Sequence, residues 1–163
     1  RLSLVGSEMC IRDRLYDRQR RIVAAVHAGW RGTVNRILAK TLHRMQSAYG
    51  TEGTDVIACI GPGISLDSFE VGDEVYEAFR TENFPMEYIS VWKPETHKYH
   101  IDLWAANRLQ LSDFGVPSRQ IENAGICTYR QHEDFFSARR LGIKSGRILS
   151  GIMLNGQEKG ERK

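Results

Sequence analysis

The sequence predicts an α/β domain, a layered structure in which mixed β-sheets are flanked by helices. Three successive segments predict it. Arg21–His27 is apolar and rich in β-branched and small residues, residues 33–50 repeat apolar side chains at helical spacing, and Asp55–Ile60 is again apolar. A strand, a helix and a strand in this order indicate a βαβ-like unit, and hence a parallel or mixed sheet. A chain of 163 residues is long enough for one domain with a substantial core.

The first helix has recognisable ends. Thr33 is a residue type that caps helix N-termini, and Gly50 is typical of the position just after a helix. Between them, apolar side chains recur on one face, at Val34, Ile37, Leu38, Leu42 and Met45. We therefore expect one continuous helix after the first strand.

The later elements follow the same rules of periodicity and termination. Gly61–Pro62–Gly63 predicts a rigid loop that either cradles a ligand or is simply a turn. The further expected elements are a short helix over Gly72–Arg80, a strand over Tyr88–Trp92, a helix over Asp102–Phe114, an extended segment over Ile121–Cys127 and a last strand over Arg147–Leu154.

Composition excludes several classes of protein. The chain is 41% hydrophobic and 26% charged, with a net charge of +3, and no apolar run approaches the roughly 20 residues that span a bilayer. We therefore expect no membrane partner. We also expect no nucleic-acid partner, because the arginines near the amino terminus lack interleaved aromatic residues. Three irregularly spaced cysteines and no recognisable signal peptide favour reduced thiols in the cytoplasm.

The two ends of the chain differ in character from its middle. Residues 1–14 begin with arginine and fit the rest poorly; they resemble a translated sequencing adapter, the alternative being an irregular native strand. We therefore take residues 15–154 as the domain. Residues 155–163 are polar and form a tail.

His27 ends the first strand and is followed by Ala-Gly-Trp-Arg-Gly. Ligand sites of α/β proteins gather at such strand ends, and an imidazole there is suited either to proton transfer or to metal binding. A lone histidine is more often a core residue, but Arg31 and two glycines beside it favour a functional site.

Cys10 lies 17 residues before His27 (27 − 10 = 17). If the chain between them turns back on itself, the two side chains meet. That pair would serve either as a nucleophile with its base or as two ligands of a zinc ion. A catalytic zinc normally has three protein ligands, and the spacing offers only these two.

Arginines are the other candidates for binding. Arg139 and Arg140 follow an aromatic pair and could hold a phosphate or a carboxylate. Arg31 is the stronger candidate, because it lies close to His27 in the sequence. For Arg139 and Arg140, a surface role is equally compatible with the sequence. We expect His97 and His100 to be surface loop residues. We expect His43 and His132 to face solvent and Cys59 to be an inert apolar residue, while Cys127 is ambiguous.

Four successive motifs resemble one known family. They are His27–Gly32, Ile60–Ile64 followed by Phe69–Gly72, Asp102–Leu111, and Cys127–Arg140, and they occur in order between about Leu15 and Leu154. On these motifs the chain is identified as similar to the laccase-domain or polyphenol-oxidase-like family, the YfiH-like proteins. The His-Ala-Gly-Trp-Arg-Gly motif is the most specific of the four.

The resemblance implies an enzyme. Members phosphorolyse adenosine, inosine, guanosine and methylthioadenosine and deaminate adenosine, with purine nucleosides and phosphate as their small-molecule partners. It also implies layered mixed sheets and a zinc site of two histidines and one cysteine. Alternatives are a copper-dependent polyphenol oxidase (laccase), a hydrolase that edits peptidoglycan precursors, and an inactive fragment.

Carried over residue by residue, His27 matches the second histidine ligand, and Cys10 stands at the offset of the cysteine ligand. The family precedes that cysteine with Thr-x-Asp, whereas this chain has Ser7–Met9. The remaining histidine belongs to an upstream Gln-Val-His segment, so the chain resembles the carboxy-terminal portion of a longer enzyme. Bound zinc would activate water for deamination, and Arg31, Arg139 or Arg140 would hold phosphate. We expect this chain alone to bind zinc weakly and to turn over adenosine poorly.

Overall fold

A computed structural model describes residues 13–142 and 144–155 of the chain. Its strands form one sheet of four and one sheet of three. The strands are β1 (Asp13–Asp17), β2 (Ile22–Val26), β3 (Val56–Ile60), β4 (Glu70–Val71), β5 (Ser90–Lys93), β6 (Lys98–Ile101) and β7 (Ile121–Asn123).

The four-stranded sheet is mixed and has the order β2-β1-β3-β7. Strand β1 lies antiparallel to both β2 and β3, with Leu15 opposite Ala24 on one side and Ala58 on the other, and β3 pairs in parallel with β7. Because β1 opposes both neighbours, β2 and β3 run in the same direction, as the predicted βαβ-like unit requires, but with β1 between them. Asp13 and Arg14 belong to β1 and pair with Val26 and Ala25 of β2. The sheet therefore includes two residues of segment 1–14, and the origin of that segment stays a prediction.

Six α-helices accompany the sheets in the described part of the chain. They are α1 (Trp30–Val34), α2 (Ile37–Tyr49), α3 (Asp73–Thr81), α4 (Met86–Ile89), α5 (Leu103–Asp113) and α6 (Ala138–Leu141). The predicted α/β class, with a mixed sheet and flanking helices, is confirmed; the three-stranded sheet β4-β6-β5 is antiparallel throughout.

The single helix expected from Thr33 is instead two helices. The first begins directly after Gly29, so Thr33 lies inside it, and Arg36 takes a left-handed conformation with φ of 54° before α2 begins. The break changes where the apolar face points: Val34 packs in the core of the smaller sheet, whereas Leu38 packs under the larger one. Gly50 ends α2 with φ of 72°, as predicted.

Two apolar clusters make the core. One lies between the four-stranded sheet and α2 and includes Leu15, Leu38 and Ile60, each with no exposed surface. The other surrounds Phe79 and Ile101 beside the three-stranded sheet. Helix α5 joins the two, because its Leu111 packs in the first cluster and its Leu103 in the second.

Helix α5 itself starts as the sequence predicts. The Asp102 carboxylate accepts a hydrogen bond from the Ala105 amide at 2.9 Å and so caps the N-terminus. The strand expected over Tyr88–Trp92 begins later, at Ser90, because Met86–Ile89 forms the short helix α4.

The last elements differ from the prediction. Of Ile121–Cys127, only Ile121–Asn123 is a strand, and none of the described residues of Arg147–Leu154 is in a strand. Residues 151–155 lie instead over the outer face of the four-stranded sheet, where they bound a cavity of about 520 Å³, and the Arg21 guanidinium donates to the Asn155 carbonyl at 3.2 Å. A strand requires backbone hydrogen bonds to a neighbouring strand. This segment lies against side chains of the sheet instead, so it does not form a strand.

Across residues 13–142 and 144–155, no helix has both the length and the apolar character needed to cross a bilayer.

Candidate functional site

His27 is held outward at the end of β2. Its neighbours Val26 and Ala28 are buried, whereas the His27 side chain is exposed. Alternation of this kind is the normal consequence of extended backbone, in which successive side chains point to opposite faces. The strand therefore buries the two small apolar residues and presents the imidazole to the surface.

The glycines after His27 are required by close contacts. A Cβ atom added at Gly29 would lie 3.0 Å from the His27 Nε2 atom, and one at Gly32 would lie 2.9 Å from the His27 carbonyl oxygen. The turn is closed by Thr33, whose amide donates to the Gly29 carbonyl at 2.8 Å and whose hydroxyl donates to the Ala28 carbonyl at 3.0 Å. The motif spacing thus lets the imidazole lie against the backbone of a tight strand-to-helix turn.

His27 opens into a cleft of about 220 Å³, called here the His27 cleft. Its lining is mainly apolar, with hydroxyl groups and one guanidinium among the side chains. The lining residues are His27, Gly29, Trp30, Pro62, Gly63, Ile64, Phe69, Leu103, Thr128, Phe136, Ser137, Ala138, Arg139 and Ile148. Small-molecule sites have this general make-up, and their usual volume is roughly 300–1,000 Å³. The His27 cleft is somewhat smaller than that range.

The Gly-Pro-Gly loop forms one wall of the His27 cleft. The Gly63 amide donates to the Ile126 carbonyl, and the Thr128 amide donates to the Gly63 carbonyl, both at 3.0 Å. These bonds join the loop after β3 to the segment after β7. The sequence allowed this loop to be either a ligand cradle or a simple turn. Pro62 and Ile64 line the cleft, where a ligand could contact them.

The three predicted arginines have different surroundings. Arg139 lines the His27 cleft, donates to the Glu70 carbonyl at 2.8 Å and lies 5.3 Å from the centre of the Phe69 ring. Arg31 and Arg140 are not among the lining residues. The Arg31 guanidinium lies over the Trp30 ring at 4.3 Å, and Arg140 lies 5.1 Å from the ring of Tyr129. Only Arg139 therefore shares the cleft with His27.

A polar cluster behind the cleft wall surrounds Cys127. The thiol, which is 6% exposed, accepts hydrogen bonds from the Ser65 hydroxyl at 3.1 Å and the Ser65 amide at 3.4 Å, and it lies 3.6 Å from the Ser68 hydroxyl. Burial raises the pKa of the Cys127 thiol, but the bonds from Ser65, the Arg130 amide and Ser68 outweigh it and lower the pKa to about 7. Sequence reasoning did not find Ser65 and Ser68; their separation of three residues after a Gly-Pro-Gly turn was the available signal.

His100 is not the surface loop residue that the sequence suggested. It lies in β6 and is 5% exposed, with Nδ1 2.9 Å from the Leu66 carbonyl oxygen and Nε2 4.0 Å from a Glu70 carboxylate oxygen. His97 does lie in an exposed turn, with φ of 52°. Neither histidine lines the His27 cleft.

The described residues do not complete a metal site. Within 13–142 and 144–155, no group of three or more His, Cys, Asp or Glu side chains is arranged to hold an ion. His27 is in place, whereas Cys10, predicted as a metal ligand and catalytic residue, lies outside the described residues. The zinc site of His27 and Cys10 therefore stays a prediction.

Comparison with known proteins supplies the family. The family described as "Multi-copper polyphenol oxidoreductase laccase" matches residues 9–155. A Bacteroides thetaiotaomicron protein named purine nucleoside phosphorylase is 62% identical over 93% of this chain and 56% of its own length. A protein from an unknown prokaryotic organism, named adenosine deaminase RL5, is 48% identical over 91% of this chain and 56% of its own length. The chain thus spans just over half of these relatives.

Solved structures agree with the sequence matches. The crystal structure of the Bacillus licheniformis hypothetical protein YfiH superposes with a TM-score of 0.72 and is 32% identical, covering 78% of this chain and 48% of that one. A Neisseria meningitidis protein, NMB0706, superposes with a TM-score of 0.69 and is 35% identical, covering 80% of this chain and 51% of that one. The chain belongs to the multi-copper polyphenol oxidoreductase laccase family, the YfiH-like proteins.

Proposed function

We propose that this chain is part of a zinc-dependent purine nucleoside phosphorylase that also deaminates adenosine, with adenosine, inosine, guanosine and methylthioadenosine as its substrates. The observation that carries the proposal is the His27 cleft, in which an imidazole and the Arg139 guanidinium share apolar walls. The names of the relatives, purine nucleoside phosphorylase and adenosine deaminase, support this choice of chemistry. A cytoplasmic location is proposed with it, since Cys59 and Cys127 are in no disulfide and free thiols are typical of that compartment.

Phosphate binding is assigned to Arg139. A guanidinium has five N–H donors in a planar fork that matches phosphate, and the Glu70 carbonyl takes one donor while fixing the direction of the side chain. In phosphorolysis a phosphate oxygen forms a bond to the ribose anomeric carbon as the bond to the purine nitrogen breaks. Arg139 would hold and orient the attacking phosphate, while the apolar walls exclude water that would compete with it.

Arg31 and Arg140, which the sequence also suggested for this role, are less suited to it because neither lines the cleft. Arg31 would have to leave the face of Trp30 to reach a phosphate in the cleft, and Arg140 would have to leave Tyr129. Arg140 is therefore a matched control for Arg139, with the same chemistry on the neighbouring residue.

Zinc is proposed with His27 as one ligand and Cys10 as a second. The described residues alone do not form a three-ligand site, so the other ligands would come from outside them. When bound, zinc would supply an activated water for deamination. An incomplete set of zinc ligands in the described residues fits the expectation that the chain alone binds zinc weakly and turns over adenosine poorly.

The test compares Arg139→Ala with Arg140→Ala, each made in this chain. Release of adenine from adenosine is measured against phosphate concentration. Loss of a hydrogen bond to a charged group costs about 1.5–3 kcal/mol, so we expect Arg139→Ala to raise the phosphate KM by about 10-fold or more. Arg140→Ala should leave it within about twofold.

An unchanged phosphate KM in the Arg139 variant of an active protein would contradict the assignment. The family description keeps an oxidase as the second candidate, and zinc has no redox chemistry. Oxygen uptake with a phenolic substrate and copper, in a protein that releases no adenine, would favour the oxidase.

A further inference from the structure

Phe136 is a large apolar side chain that the fold leaves exposed in the His27 cleft. It is 54% exposed and lines the cleft, whereas Phe69 on the same cleft is buried. Exposure of an aromatic ring at a concave site means that its apolar surface is available to a ligand.

The backbone on both sides of Phe136 is fixed by hydrogen bonds. Before it, the Phe135 amide donates to the Gln131 carbonyl at 2.9 Å. After it, Ser137 caps α6: its carbonyl accepts from the Leu141 amide at 2.7 Å, and its side chain accepts from the Arg140 amide at 3.4 Å. The exposed ring therefore projects from an anchored turn.

The ring is also positioned from one side. A Cβ atom added at Gly146 would lie 2.7–2.8 Å from three carbon atoms of the Phe136 ring. Such distances are below van der Waals contact, so only glycine lets the chain at residue 146 approach the ring this closely. The ring thus lies between the backbone of Gly146 and the open volume of the His27 cleft.

We propose that Phe136 is the residue on which the purine base stacks, and that Gly146 positions its ring for that contact. This inference rests on the proposed function. Every nucleobase has a planar π-face that stacks on aromatic side chains whatever its hydrogen-bonding pattern. Stacking on Phe136 would favour the purine ring without discriminating between its substituents. This fits a substrate set of several purine nucleosides. Arg139, a cation on the same cleft, would serve the phosphate instead.

The test measures equilibrium binding of adenosine, adenine and ribose 5-phosphate to the full chain by calorimetry. The variants are Phe136→Leu, which keeps the apolar volume but removes the π-face, Phe136→Tyr, which restores an aromatic ring, and Gly146→Ala. The matched control is Gly151→Ala, because a Cβ atom there meets nothing within 4 Å. Thermal unfolding of each variant confirms that it is folded.

We expect Phe136→Leu to weaken binding of adenine and adenosine by about 5- to 100-fold and to leave ribose 5-phosphate unchanged. Phe136→Tyr should bind as the parent does, Gly146→Ala should weaken base binding, and Gly151→Ala should not. Equal adenine affinity in the leucine variant, an equal loss for ribose 5-phosphate, or no adenine binding by the parent would each overturn the proposal.

The experiments distinguish failure of the proposed enzymatic function from failure of the proposed stacking role. If adenine binding depends on Phe136 but neither adenosine phosphorolysis nor deamination is found, the base site stands and the enzymatic assignment falls. If phosphorolysis persists in Phe136→Leu with an unchanged adenosine KM, the enzymatic assignment stands and the stacking role falls.

Discussion

Gly29 and Gly32 both contact His27, but replacing them with alanine should have different effects. In Gly29→Ala the new methyl group meets the His27 ring, at 3.0 Å from Nε2 and 3.4 Å from Cε1. In Gly32→Ala it meets main chain, at 2.9 Å from the His27 carbonyl oxygen. An exposed side chain can rotate away from a methyl group, whereas a strand end held by hydrogen bonds cannot. The first variant should therefore displace the imidazole, and the second should reduce stability.

The magnitudes follow from the local conformation. Gly29 has φ of −64° and ψ of 175°, which any residue adopts, so the cost of Gly29→Ala is the loss of a favourable N-cap residue, at most about 1 kcal/mol. For Gly32→Ala, overpacking costs about 1–3 kcal/mol, and the higher helix propensity of alanine offsets up to about 1 kcal/mol of it. The net loss is therefore expected within about 0–3 kcal/mol, with a middle value near 1.5 kcal/mol.

Two measurements separate the variants. Urea denaturation gives the free energy of unfolding, and NMR of the imidazole carbons, assigned with His27→Ala, gives the environment of the ring. Gly29→Ala should shift the His27 resonances. Under the proposed zinc ligation by His27 it should also lower zinc affinity about 10- to 100-fold, because the orientation of a ligand is disturbed. Gly151→Ala is the control for both. Unchanged His27 resonances in Gly29→Ala would refute the proposed packing of the ring on Gly29.

Three further outcomes are expected. Leu38→Ala removes a side chain with no exposed surface and should lower the free energy of unfolding by about 2–5 kcal/mol in urea denaturation; a loss below about 1 kcal/mol would contradict its core position. Burial raises the pKa of Asp17, but the Arg20 and Gln19 amides that it accepts from lower it below its ordinary 3.8. The stability advantage of the parent over Asp17→Asn should thus be full above pH 3.8 and vanish as the pH falls through the folded-state pKa; urea denaturation showing a constant difference would contradict this. With the other two cysteines changed to serine, alkylation of Cys127 should reach half its maximal rate near pH 7, and a midpoint near pH 9 would show that the Ser65 bonds do not stabilise the thiolate.

Features set by neighbours in sequence could be predicted from the sequence. The strand before His27, the Gly50 helix end and the Asp102 cap each depend on residues within a few positions. The turn glycines were also visible, although their reason, the contact with His27 atoms, needs coordinates. Local conformational preference is strong enough at these points to determine the structure.

Features set by distant contacts could not be predicted. A strand over Arg147–Leu154 needs a hydrogen-bonded neighbour that the described chain does not provide. His100 is buried because the segment at Leu66 covers it, 34 residues away in sequence. Periodicity carries no information on such partners.

The His27 cleft draws its walls from segments spread between residues 27 and 148 of the chain. Two of those walls are joined by hydrogen bonds between the loop after β3 and the segment after β7, so the cleft belongs to the folded molecule. A compound that binds only this folded form stabilises it by RT ln(1 + [L]/Kd), and the melting temperature rises with its concentration. Candidate nucleosides can therefore be ranked by a melting screen, even for a chain that turns none of them over.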